Sequence, residues 1–114
     1  MGMNASELDR RVQVLRRTEV GRSPLNAPIY EWNNLGKPIS ARRSDVSDVE
    51  KAGIWGVRAL LVTRFVIRST PFARQIRHDD QLLHGGLIFN ITGIKEVAQE
   101  RAFLEVTAQT AGVK

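Results

Sequence analysis

The string His78-Asp79-Asp80, followed by His84, is the one place in the sequence where imidazoles and carboxylates gather. Such a group could hold a metal or move a proton, provided a third group oriented it inside a pocket. Its setting points elsewhere, because it flanks Gly85-Gly86. Aspartates beside a hairpin cap turns, and histidines there face water. Asp45, Asp48 and Glu50 are the other clustered carboxylates, and they fall on or beside a segment that reads as a short polar helix. A solvated helix face suits them better than general acid and base work. No serine stands in a nucleophile-elbow setting. No glycine pattern precedes a helix as a phosphate cradle would. The chain has no cysteine, which removes disulfides, thiolate metal sites and cysteine nucleophiles together. The expectation is a protein without catalytic residues, metal or cofactor.

The arginines carry more information. Of 17 basic residues, thirteen are arginine and four lysine, against 12 acids, for a net charge of +5. Arginine grips carboxylates and phosphates in a two-pronged fork, so this bias suits interfaces more than mere solubility. Arg42 and Arg43 sit together, and Arg58, Arg64, Arg68, Arg74 and Arg77 follow in a stretch that holds no acid. The acids gather at 45–50, at 79–80 and in the C-terminal quarter. Separated charge of this kind suits stacking on copies of the same chain or facing an acidic partner. Candidate contact residues are Arg42, Arg43, Arg64, Arg68, Arg74 and Arg77. Trp55, between glycines, joins them as an interface anchor. Trp32, in an edge strand, could stack on a base or a partner, but more simply plugs one end of a small barrel.

These side chains need elements to hold them. The length of 114 residues bounds the chain to a single domain, 1–114, with 1–8 and 110–114 expected to be flexible. No apolar run approaches a membrane span, and the polar start lacks a signal-peptide stretch, so a soluble product made in a cytoplasm is expected. Strand signals dominate. Val12 and Val14 alternate with polar neighbours in 11–17. The stretch 20–29, with Gly21, Pro24, Asn26 and Pro28, reads as a long loop. Residues 30–32 and 38–43 form strand, with Pro38 requiring an edge or a bulge. Ser47 and Glu50 have capping-box spacing and predict a short helix over 48–52 stopped by Gly53. The strand 59–69 turns Leu61, Phe65 and Ile67 to one face and Arg64 and Arg68 to the other. Gly85-Gly86 predicts a two-residue hairpin turn between 81–84 and 87–93. Leu104, Val106 and Ala108 form the inner face of the last strand. The sum is mainly β: five or six antiparallel strands, one short helix and one long loop. They would close as a small barrel or pack as a compact sandwich.

The order of these elements resembles the head-tail joining proteins of long-tailed phages, also called head-closure, adaptor or stopper proteins. Related proteins occur in prophages and gene transfer agents. The pieces that carry the resemblance are Val12-Gln13-Val14-Leu15-Arg16, the 65–68 segment, and the Gly-Gly hairpin leading into Leu87–Ile94. It covers the chain from about Leu8 to Gln109. The resemblance implies a small antiparallel β-barrel packed as a ring, usually of twelve copies, in the virion between head and tail. Its partners would be copies of itself, a portal or adaptor protein, a tail-tube or tail-terminator protein, and DNA passing through the channel. The loop carrying Gly21, Pro24, Asn26 and Pro28 would be a docking arm that orders on assembly. A nucleic-acid-binding small barrel and a tail-terminator or tail-completion ring are the competing readings.

Overall fold

Alternating apolar residues dictate the strands, and the computed structural model describes residues 7–53, 56–97 and 100–113 of the result. Six strands follow one another: β1 (Arg10–Arg22), β2 (Pro28–Gly53), β3 (Gly56–Arg68), β4 (Gln81–His84), β5 (Leu87–Val97) and β6 (Glu100–Val113). All pair antiparallel, and the sheet closes on itself in the order β1-β2-β3-β6-β5-β4. Closure removes the edges that an open sheet would expose and makes this a barrel rather than a sandwich.

The interior is set by the alternation in each strand. Val12, Val14, Ala41, Phe65, Ile67, Leu82, Phe89, Ile91, Leu104, Val106 and Ala108 are buried together. Phe65 and Phe89 meet edge to face at 5.3 Å, at the barrel's centre. A second, smaller cluster lies elsewhere: Leu8, Val66 and Phe103, with Val97 against them. Leu8, expected in a flexible start, is buried in this cluster. At the other end, Thr110, Gly112 and Val113, expected to fray, pair with Phe89, Ile88 and Leu87 as the end of β6. Residues 1–6 and 114 lie outside the described residues.

Two expectations are corrected. Residues 48–52 are not helix: Val49–Gly53 pair with Leu60–Gly56 in an antiparallel ladder. The Ser47/Glu50 spacing is a local preference, and backbone pairing with β3 overrides it. Among the described residues helix is confined to short 3₁₀ turns, including Ala73–Gln75, where the Ala73 N–H donates to Thr70 Oγ1 at 3.0 Å. Nor is 20–29 a long loop. β1 runs to Arg22, β2 begins at Pro28, and only five residues join them. Their polar groups are satisfied locally: Asn26 N–H donates to Ser23 O at 2.8 Å and Ser23 N–H to Ala27 O at 2.8 Å. Asn26 takes the left-handed φ of 64° that such a turn needs, which asparagine tolerates.

Pro38 sits where its missing N–H does no harm. Val12 pairs with Ile39 and Val14 with Leu35, so Gly36, Lys37 and Pro38 bulge opposite the single residue Gln13. The Gln13 amide reaches Val14 O at 2.9 Å, Gly36 O at 3.2 Å and Leu35 O at 3.3 Å, covering the bulge's carbonyls. Gly85 and Gly86 form the expected hairpin turn with φ of 58° and 78°. Both left-handed values match a type I′ turn.

β2 is the organising strand. Its first half, through Ala41, pairs with β1; its second half, from Ala41, pairs with β3 on the opposite edge. Beyond the barrel each pairing continues as a two-stranded ribbon. β4 leaves β1 at Leu15, and β6 leaves β3 at Val62, so both ribbons run on alone. The molecule measures 55 × 41 × 23 Å with a radius of gyration of 15.8 Å. A spherical domain of this length would have about 13 Å. The excess is the reach of the ribbons.

Candidate interaction surface

β-strand alternation sorts the predicted arginines into groups. On β3, Arg64 and Arg68 face out while Phe65 and Ile67 face in. Arg42 pairs with Val66 and Ser44 with Arg64, so Arg42 shares that outer face. Val66 in turn lies beside Glu105, and Glu105 beside Lys95. Glu105 is the anion within this basic face, 3.5 Å from Lys95 Nζ and 3.9 Å from Arg64 Nε. At such distances between solvated groups the pairs hold weakly, leaving the arginines available to a partner.

Arg43 is corrected. It faces the opposite way, with its guanidinium 5.9 Å from the centroid of the Phe89 ring and its Nε donating to Asp45 Oδ1 at 3.0 Å. Thr63, fully buried, donates its hydroxyl to the same oxygen at 3.0 Å. Arg43, Asp45 and Thr63 therefore form a polar patch on the opposite side from Arg42, Arg64 and Arg68. The hydrogen bond from Arg43 holds the Asp45 carboxyl below its usual pKa, with Thr63 and the charges of Arg43 and Arg10 adding to it against the cost of burial. A carboxylate whose folded-state pKa is lowered contributes stability that is whole above its unfolded pKa, about 4, and lost as pH falls through the lower value. Replacing Asp45 with asparagine should therefore flatten the acid limb of a stability-against-pH curve. The change should be about 0.5 kcal/mol or less, since half of this side chain is solvated. Equal acid limbs for the two proteins would refute it.

Arg74 and Arg77 are exposed on the β3–β4 connection. Trp55 lies outside the described residues. Trp32 does not plug the barrel: it is 40% exposed on the β1–β2 ribbon. It pairs with Arg17 there, and the Arg17 guanidinium lies 4.4 Å above the ring of neighbouring Tyr30. Gly21, Pro24, Asn26 and Pro28 stand at the tip of the same ribbon.

One arginine escaped the sequence reading. Arg16 grips Asp80 with both prongs, Nε to Oδ1 at 3.0 Å and Nη2 to Oδ2 at 2.9 Å. Arg16 Nη2 also donates to Gln75 O at 2.8 Å, and the Arg77 N–H donates to Asp80 Oδ2 at 2.8 Å. The hydrogen bond to Asp80 raises the Arg16 pKa further above its ordinary value. This lock pins the β3–β4 connection to β1, and it splits the His/Asp cluster. Asp80 is consumed by Arg16, while His84 lies 3.0 Å from Arg11 O through Nδ1 and edge-on to Phe65. Among the described residues, no group of three His, Asp or Glu side chains is placed to hold a metal ion. No helix among them is long and apolar enough to cross a membrane.

Similar folds are known. A chain from the virion of a native gene transfer agent particle superposes with a TM-score of 0.72 at 22% identity, over 92% of this chain and 96% of that one. A protein of Shigella flexneri 2a, solved in solution, superposes with a TM-score of 0.66 at 19% identity, over 98% of this chain and all of that one. No curated protein matches the chain. The family model for phage head completion proteins matches residues 3–111, nearly the whole sequence. The chain belongs to the phage head completion protein family, structural proteins of the virion head.

Proposed function

We propose that this protein forms a ring at the opening of the DNA-filled head, joins head to tail there, and helps hold the packaged DNA. The observation that carries this reading is a family match over 3–111 on a chain that sets Arg42, Arg64 and Arg68 on one outward face. The ring has twelve copies, one for each portal subunit, and is built from protein made in the host cytoplasm. Arg42, Arg64 and Arg68 meet acidic neighbours: another copy, the portal or an adaptor on one side, and the tail-tube or tail-terminator protein on the other. Arg74, Arg77 and Trp55 serve further contacts. A channel that must release DNA should not grip phosphate tightly, which favours protein partners for these arginines.

Deleting the gene and imaging the particles tests the reading. Tailless heads beside loose intact tails are expected, with empty heads among them if DNA retention also fails. Normal joined particles would reject it. Reversing charge at Arg64 and Arg68 together should abolish joining without unfolding the barrel, because both are exposed and the Glu105 contact is weak. Unchanged joining would remove these two residues from the interface. The stacked Arg17 and Tyr30 beside Trp32 favour nucleic-acid binding as a second reading. Submicromolar, salt-sensitive binding of single strands would support that alternative.

A further inference from the structure

Among residues 7–46, 62–97 and 101–110, the exposed large apolar or aromatic side chains are Val20, Leu25, Ile29, Tyr30 and Trp32, and all stand on the β1–β2 ribbon. Leu25 at the tip is 91% exposed. Apolar groups concentrated on one projection mark a contact site. The ribbon also has little to stabilise it alone, since an isolated two-stranded hairpin is marginal in water.

The barrel carries a matching recess. A pocket of about 290 Å³ is lined by Leu8, Ile39, Ile67 and Ala73, with Arg68, Ser40 and Thr70 as its polar members. It is large enough for an aliphatic side chain. Arg68 on its wall offers a partner to Glu19, which stands beside Val20 on the ribbon, is nearly half exposed and is held only at 3.9 Å by Arg22 of its own chain. The ribbon cannot fill its own chain's pocket. Ile39 is in the same strand as Ile29, and the paired ribbon between them spans about 30 Å at strand rise, pointing away.

We propose that the β1–β2 ribbon of one copy seats Leu25, with Val20 and Ile29 beside it, in the Leu8/Ile39/Ile67/Ala73 pocket of the next copy. Knob and hole lie on different parts of one surface, so the contact is head to tail. Such contacts close into a ring when the rotation between copies permits. The inference rests on the ring reading above and names the contact that builds the ring.

The chain's lack of cysteine allows a direct test. Leu25→Cys and Thr70→Cys are introduced together, both at exposed positions, and expressed beside the wild-type protein so that particles still assemble. Oxidation of purified tailed particles should give a ladder of covalent multimers from the double variant and none from either single variant. A disulfide needs Cα atoms within about 7 Å, so the ladder reports the seated ribbon itself. Double-variant protein that stays monomeric in tailed particles overturns this contact and leaves joining intact. Cross-links to a different virion protein, or Leu25→Cys dimers alone, also overturn it. Absence of the wild-type protein from tailed particles sinks the ring reading itself. As a second variant, Leu25→Asp should keep the wild-type melting temperature yet fail to enter particles; normal incorporation would count against the proposal.

Discussion

Gly36→Ala is expected to lower the unfolding free energy by about 3 kcal/mol. Gly36 has a φ of 67° inside the β2 bulge, a conformation that costs a residue with a Cβ about 1–2 kcal/mol. A Cβ there would also stand 2.6 Å from Phe72 Cε1 and 2.9 Å from Cζ. The ring would have to move, and it packs against the main core. Forced repacking of that kind costs a further 1–3 kcal/mol or so. In a domain of this length the sum corresponds to a fall in melting temperature of roughly 12 °C. Thermal and urea unfolding would measure it. Combining Gly36→Ala with Phe72→Leu separates the two causes: relief of the clash should make the pair less unstable than the sum of the single variants. A Gly36→Ala protein as stable as wild type would show that the bulge can relax, contrary to the geometry.

The second large effect is at Arg16. Asp80 has a side chain 1% exposed and three donors, two of them from Arg16. Arg16→Ala leaves a buried carboxylate with one backbone N–H and also strips the donor from Gln75 O. Breaking a buried pair from one side costs about 3–5 kcal/mol, and the lower figure applies because the Arg16 side chain is itself 23% exposed. Arg16→Lys should fall between, since an ammonium cannot reproduce the fork. A double-mutant cycle with Asp80→Ala should return a coupling of at least about 1 kcal/mol. Additive losses would mean that the two side chains are held by other contacts. The distinction matters for the fold, because this lock fixes the segment that carries Arg74 and Arg77.

Much of the barrel was legible in the sequence, and the reason is local. Leu104, Val106 and Ala108 alternate cleanly because β6 in the barrel has one wet face. Gly85-Gly86 announces its turn because only glycine accepts two successive positive φ values cheaply. Pro38 called for an edge or a bulge because its nitrogen cannot donate, and the ladder answers with a bulge. What failed was non-local. The 48–52 stretch carries a helix-start pattern, and its strand state comes from partners in β3. The Gly- and Pro-containing 20–29 segment resembles loop, yet the ladder runs through Gly21 by means of a bulge. Arg16 and Asp80 are separated by the second half of β1, all of β2 and β3 and the connection beyond, so no spacing rule could join them. Trp32 was misplaced for the converse reason. Its apolar bulk predicts burial within one chain, whereas its strand carries it past the point where the barrel ends.

The handover of β2 from one partner to another at Ala41 has a mechanical meaning. The same covalent backbone is gripped on one edge by β1 and on the opposite edge by β3. A pull on the tip of the β1–β2 ribbon therefore travels as tension along a single strand into the ribbon at the other end. Ladder hydrogen bonds lie across the strand direction, so lengthwise tension loads many of them together in shear instead of opening them one by one. The strand is thus a tie-rod through the barrel: load applied to one projection is borne by the other, while the core around Phe65 and Phe89 keeps its shape.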